Sequence, residues 1–220
     1  MRIPFSVDQF LSLFKIYNIT VWPIQIFFYL VALLALFLTV KRSALTDKMI
    51  SIIIAYFWLW MGVIFHLFFF TMINKGAYLF GVLFIIQSIL FLYFGLLKSK
   101  LSYELKLDLY GITGSIFILY ALAVYPLLGH FSGHTYPHSP TFGAPCPTTI
   151  FTFGILLLTI KKVPKIILII PFLWSLTGFS AALNLLIRED FGLLIAGLLG
   201  TILIIIKDRK GCFDNLSKKN

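Results

Sequence analysis

The feature that most constrains this chain is a succession of apolar runs, each close to the length a helix needs to cross a bilayer and nearly free of acidic or basic residues. They extend from Trp22 to Val40, Met49 to Ile73, Ala77 to Leu97, Leu109 to Leu128, Pro147 to Ile160, Val163 to Ile187 and Phe191 to Ile206, and Lys165 is the one charge inside them, within a turn of an end. Hydrocarbon offers no partner for backbone N–H and C=O groups, so segments of this kind can only be helices that satisfy themselves. A composition of 60% hydrophobic and 12% charged residues, against about 45 to 50% and about 25% in a soluble domain, excludes a water-soluble fold. The expectation is an all-α, polytopic bundle of seven transmembrane helices over 22–206, with an amphipathic segment at 1–20 and a basic tail at 207–220. The run from Pro147 has 14 residues, roughly 21 Å of helix against a hydrocarbon core of about 30 Å, and is the hardest to accept as a full crossing.

Lys and Arg in short loops are retained on the cytoplasmic side, and their distribution tests the count. With seven spans, one side holds Lys41, Arg42, Lys48, Lys98, Lys100, Lys106, Lys161, Lys162, Lys165 and the five basic residues of the tail, which is 14 of the 18 in the chain. The other side holds Arg2, Lys15, Lys75 and Arg188. The bias alternates at every connection, which places the amino terminus outside and the carboxyl terminus in the cytoplasm. The net charge of +10 is absorbed by topology, and no stretch is polar enough to form a nucleic-acid surface.

Ahead of the first run, Ser6 with Gln9 three residues on reads as a capping box, and Val7, Phe10, Leu11, Phe14 and Tyr17 share one helical face opposite Asp8, Ser12 and Lys15. The expectation is a helix lying in the outer interface rather than a cleaved leader, since no small-residue cleavage site follows.

The seven-helix layout does not carry a retinal, because the last run lacks a lysine at depth and a counter-ion. All eight acidic residues, Glu189 and Asp190 among them, fall in loops, tails or span edges, which weighs against proton pumps and ion-coupled carriers without removing them, since backbone carbonyls can serve a carrier. No phosphate-binding loop, nucleophile elbow, zinc-protease motif or carboxylate pair for acid–base work occurs, so an enzyme is the less favoured reading. Small residues recur every fourth position at Gly192, Ala196 and Gly200, and at Gly178 and Ala182, a spacing that predicts close packing of the last two helices.

His66 is the one histidine inside a run, roughly 10 Å below its outer end at about 1.5 Å per residue; it is a ligand or proton-relay candidate, or a neutral ring hydrogen-bonded to a neighbouring helix. Gln87 and Asn184 are polar groups available at depth, as ligand contacts or as interhelical glue. The segment GHFSGHTYPHSPTFGAPCP, Gly129 to Pro147, holds His130, His134, His138 and Cys146, together with Pro137, Pro140, Pro145 and Pro147, and carries no charge. A charge-free outer loop of that length has no reason to stay in water. It is expected to dip into the bundle from Pro140 to Pro147, completing the short fifth crossing and flooring an outward-facing cavity with Phe142 to Thr149, Thr148 included. Helix five would then start at Pro147 with Cys146 at its N-cap, where a thiol is more reactive. His66 and Cys146 are the metal candidates, the donor types suiting zinc or copper, although the spacing matches no established motif. Cys212, in the tail, lies on the opposite side and cannot pair with Cys146.

WLWMGVIFHLFFFTMINKGAYLFG (Trp58 to Gly81), YPLLGH (Tyr125 to His130) and PTFGAPCPTTIFTFG (Pro140 to Gly154) resemble segments of a bacterial family of uncharacterised multi-pass membrane proteins, a domain of unknown function. The resemblance runs from about Phe5 to Ile160. It implies an inner-membrane protein and supplies no activity, cofactor or catalytic residue.

Taken together these readings give a lipid-embedded protein that binds or passes a small solute or metal ion through a cavity formed by the second, third and fifth spans and the proline-rich loop, with His66, Gln87, His130, His134, Cys146, Thr148 and Asn184 as contacts. A non-catalytic structural or sensory subunit, and a redox or haem protein, are the alternatives. A sealed interior would favour the structural one.

Overall fold

The computed structural model describes residues 4–185 and 187–217, excepting the side chains of 211–217, among them Cys212. Every element is helical, and among the described residues only two isolated β-bridges occur, Tyr103 with Thr159 and Phe142 with Ala144. The helices are α1 (Val7–Val21), α2 (Ile24–Val40), α3 (Ala44–Met72), α4 (Ala77–Leu97), α5 (Leu109–Phe131), α6 (Pro145–Leu157), α7 (Ile166–Leu185) and α8 (Phe191–Ser217), the last entered through one 3₁₀ turn at Arg188–Asp190. Helix α8 runs on as far as Ser217, into the segment read as a tail, whose last three residues lie outside the described ones.

Five of these are long and apolar enough to cross a membrane, and a sixth crossing results if α1 and α2, bent by 83° at their break, form one span. Helix α2 has 17 residues and α6 has 13. Large apolar side chains stand exposed around the outside, as at Leu30, Leu33, Phe37, Leu79, Ile89, Leu119 and Ile202. A belt of that extent around a single chain is what a lipid-facing surface requires.

The shortest helix is the axis of the bundle. From Pro147 to Leu157 every residue of α6 is buried, and α5, α7, α8 and α3 pack around it. A helix apolar on all sides belongs inside other helices, so α6 has no lipid thickness of its own to match. On α5 a Cβ at Gly114 would lie 2.7 Å from the Gly154 carbonyl oxygen, and one at Gly154 would lie 2.8 Å from that of Gly114. Only glycine allows these two backbones to meet. At its far end Lys207 donates to the carbonyls of Leu157 (2.9 Å) and Thr159 (2.6 Å), a cation completing the last turn of α6.

The last two helices pack together as the spacing predicts: Gly178 of α7 admits Leu193 of α8, and Gly197 of α8 admits Ser175 of α7. The same helix also serves other neighbours, since Gly192 faces Tyr120 of α5 and Gly200 faces Phe153 of α6.

The capping box forms as read: Ser6 accepts from the backbone N–H of Gln9, whose side chain accepts from the Ser6 N–H. Its helix docks by burying Leu13, Phe14 and Tyr17, and Trp60 of α3 donates its indole N–H to the Tyr17 hydroxyl at 2.8 Å. Helix α3 widens to π geometry over Met61–Phe69, as α4 does at Tyr93–Leu97 and α5 at Tyr120–Val124. Such wide turns free backbone carbonyls and recur at functional sites.

Candidate functional site

The end of the bundle that carries the 129–146 loop holds two buried polar groups of side chains. The first ties the loop down. Asn18 of α1 donates to the carbonyls of Pro137 (2.7 Å) and Ser139 (2.8 Å), while its own oxygen accepts from Gln25 of α2 (2.7 Å) and Thr141 (3.1 Å). Both Asn18 and Gln25 are buried. The expectation that the segment enters the bundle holds here: Ser139, Phe142, Ala144 and Pro147 to Thr149 are buried, and Phe142 packs edge-on against Phe57 and against Phe151. Gly143, at φ 98°, makes the left-handed turn that admits the chain to α6, and its N–H donates to the Thr148 hydroxyl at 3.1 Å. Helix α6 begins at Pro145, with Ala144 as N-cap, so Cys146 lies inside the first turn and not at the N-cap.

The second group surrounds a cavity of about 50 Å³, room for a few water molecules or a small ring, given that one water occupies about 10 to 15 Å³ by this measure. Its walls are mostly aromatic: Phe5, Phe10 and Phe14 at the amino end, Phe65 and Phe70 of α3, and Trp174 of α7. Pro140 and Ala144 of the loop, Pro145 and Cys146 in the first turn of α6, and Gly178, Ala181, Ala182 and Leu185 of α7 complete them, and one charged side chain, Asp190, reaches in. The cavity is thus built from α1, α3, α7 and the loop, where the second, third and fifth spans were expected. The third contributes nothing to the lining.

Asp190 sits in a network that the sequence reading placed at a span edge. It is 4% exposed and Glu189 is wholly buried. Tyr125 of α5 donates to Asp190 Oδ1 at 2.6 Å, Tyr120 donates to the Glu189 carbonyl at 2.7 Å, and His134 of the loop donates from Nδ1 to Glu189 Oε1 at 3.1 Å. The Cys146 thiol lies beside the Asp190 carboxyl, partly exposed into the cavity. A thiol next to a carboxylate lacks the electropositive surroundings that make a cysteine nucleophilic.

Three buried polar atoms here have no partner: Glu189 Oε2, the Trp174 indole nitrogen and His66 Nε2. His66 donates from Nδ1 to the carbonyl of Met61, five residues back in the π segment (2.8 Å), and its ring lies among Phe84 (4.4 Å between centroids), Trp174 (5.2 Å) and Phe65 (5.3 Å). It therefore backs the cavity through Trp174 and does not line it.

Among the expected contacts, the structure brings His134 and Cys146 to one network, with His66 one ring behind. Thr148 braces the loop. Gln87 lies elsewhere, donating from α4 to the Ile167 carbonyl of α7 at 2.9 Å, with its own oxygen unpaired. Asn184 is exposed and bonds the Ser180 carbonyl of its own helix, and His130 is exposed against Phe131. No grouping of three His, Cys, Asp or Glu side chains able to hold a metal ion occurs among the described residues. Asp190, Glu189, Tyr125 and Trp174 went unread. The signal that could have found them is a pairing of opposites, a loop with three histidines and no acid beside the adjacent acids of an Arg-Glu-Asp turn.

The chain belongs to a family described as a family of unknown function (DUF6064), whose profile matches residues 7–215. No curated protein and no solved structure matches it.

Proposed function

We propose that this chain is a membrane receptor or carrier that binds a small, largely apolar molecule bearing one polar head, with the head at Asp190 and Cys146 and the apolar part among the phenylalanine rings. The observation that carries this reading is the coincidence, in one cavity, of a buried carboxyl, an unpaired indole N–H and an otherwise apolar wall rich in aromatic rings. Buried polar atoms are nearly always hydrogen-bonded in proteins, and apolar walls with a few convergent polar groups are the composition of ligand sites. A sealed, merely packed interior would not leave the space.

The reading includes a topology. Seven crossings place the lysine-rich connections together in the cytoplasm and the cavity toward the periplasmic face of a bacterial inner membrane, and the alternation of basic residues supports it. The deep loop supports it too, since Ser139, Pro140 and Phe142 to Ala144 are buried within the bundle directly ahead of a helix too short to cross alone. Binding of an organic molecule is favoured over a metal ion because Cys146 and His66 are separated by the Trp174 ring.

The test is photolabelling of the purified protein with a benzyl alcohol carrying a trifluoromethyl diazirine, followed by peptide mapping. Label is expected on the segments Phe10–Phe14 and Pro140–Cys146, and filling the cavity by Ala181→Phe should reduce it at least about fivefold there while leaving label on the lipid-facing surface of α2 unchanged. Label confined to lipid-facing helices, or indifferent to Ala181→Phe, would overturn the reading.

A further inference from the structure

Building on that binding site, we infer that the polar head it accepts is a cation, an amine or ammonium group on a small aromatic or aliphatic carbon frame, and that Asp190, with Glu189 behind it, selects for the charge. The two acids are adjacent in the chain and both buried, and neither is paired with a lysine or arginine among the described residues; the one basic side chain on them is His134, on Glu189. Arg188, next in the chain, is exposed. No basic side chain lines the cavity. A buried carboxylate without a cationic partner is poorly compensated, and a ligand bearing positive charge would supply the missing half of the pair.

The walls agree with the acid. An aromatic ring presents a negative face, and cages of aromatic rings are the established protein solution for ammonium recognition. Here five phenylalanines and Trp174, the ring type with the strongest attraction for a cation, enclose the space that Asp190 opens into. Trp174 is 8% exposed, and its N–H, beside the Cys146 sulfur, completes no hydrogen bond of ordinary geometry. An anionic head would meet the carboxyl and the negative ring faces at once, and a neutral hydroxyl would gain one hydrogen bond without using the charge. Asp190 Oδ1 accepts from Tyr125 and the carboxyl lies beside the Cys146 thiol, so an ammonium would share the carboxyl with these two neutral groups. The size of the cavity restricts the buried part to the ammonium and about one ring.

Three diazirine probes that differ only in their head decide the matter: the benzylamine, the benzyl alcohol and the benzoate, titrated against the full chain in detergent with the label quantified on the Pro140–Cys146 peptide. A charge pair at partly buried depth, with cation–π contact, predicts half-maximal labelling by the amine at a concentration at least about tenfold below that of the alcohol, and no saturable labelling by the benzoate. In Asp190→Asn and in Glu189→Gln the amine's preference should fall to within about twofold of the alcohol, whose own labelling reports that the cavity is still formed. Equal labelling by amine and alcohol in the unaltered protein overturns the inference while leaving the binding site standing, whereas absence of saturable labelling by all three overturns both. Should Asp190→Asn fail to fold, Glu189→Gln carries the same readout, and an undiminished amine preference there also overturns the inference. Repeating the titration in nanodiscs with and without phosphatidylethanolamine identifies the source: loss of the amine's labelling marks a lipid ammonium as occupant, and its persistence marks a free amine, and either supports the shared chemistry.

Discussion

Two buried polar clusters lie at the same end of this molecule, both contacting the proline-rich loop, and they are built on opposite principles. Around Asn18 each side-chain donor and acceptor of that residue is used: two carbonyls of the loop, Gln25 and Thr141 close the set. Around Asp190 the donors come from Tyr125, Tyr120 and His134, yet the Trp174 N–H at the cavity wall and Glu189 Oε2 behind it stay unpaired. A closed network rigidifies and a half-closed one costs stability, and the second arrangement leaves its unpaired groups next to a cavity where a ligand could complete them. The comparison separates a clamp from a site, although the two would look alike in a tally of buried polar residues.

The sharpest way to break the comparison is to remove the clamp. Asn18→Leu leaves two loop carbonyls and the Gln25 amide without their main partner. Each abandoned buried group costs about 1 to 3 kcal/mol, while single interhelical hydrogen bonds in membranes average about 0.6 kcal/mol because the unfolded chain finds other partners. With several groups stranded at once, a loss of about 3 kcal/mol is expected in reversible unfolding by SDS in mixed micelles. A loss below about 1 kcal/mol would show that the loop is held by Phe142 packing and not by Asn18.

The partnered arm of the second cluster should respond next. Tyr125→Phe removes the 2.6 Å bond to Asp190 Oδ1, a hydrogen bond to an ionisable group and worth about 2 kcal/mol. The same substitution frees that oxygen toward the cavity, so amine labelling should be retained or strengthened while stability falls. Parallel loss of both would place Tyr125 in the ligand contact itself.

How much of this was legible without coordinates differs between helices and site for a physical reason. Charge-free runs report how much of a segment avoids water, and so the run from Ala77 to Leu97 has the bounds of α4, and the run from Met49 to Ile73 lies within five residues of α3 at each end. The capping box at Ser6 and the inward dip of the loop depend on neighbouring residues or on the absence of charge, and both were visible. What hydropathy cannot report is which neighbour a polar residue meets. Glu189 and Asp190 occupy a turn between two runs, where charge is ordinarily exposed, and only the burial of that turn against α5 and the loop makes them interior. Asn184, by contrast, falls inside a run, three residues from its end, and points outward. Cys146 and His134 were singled out by their position in an unusual loop, and both come to lie beside the buried Glu189–Asp190 turn because that loop, long and without charge, folds inward.

The smallest expected effect is the most discriminating. Trp174→Phe deletes an indole N–H that has no acceptor, keeps an aromatic ring near His66 and Phe84, and enlarges a cavity that is already present. If the indole were part of a structural network, the change would strand its partner and cost as much as Tyr125→Phe. With no partner to strand, the cost is limited to lost packing, within about 1 kcal/mol once relief of the unpaired N–H is set against it. The change should appear instead in binding, because phenylalanine holds a cation less well than tryptophan, and a two- to fivefold rise in half-maximal concentration is expected for the benzylamine probe with none for the alcohol. A stability loss without that shift would assign Trp174 to the core, and the unpaired atoms around Asp190 would then mark imperfect packing and not a site.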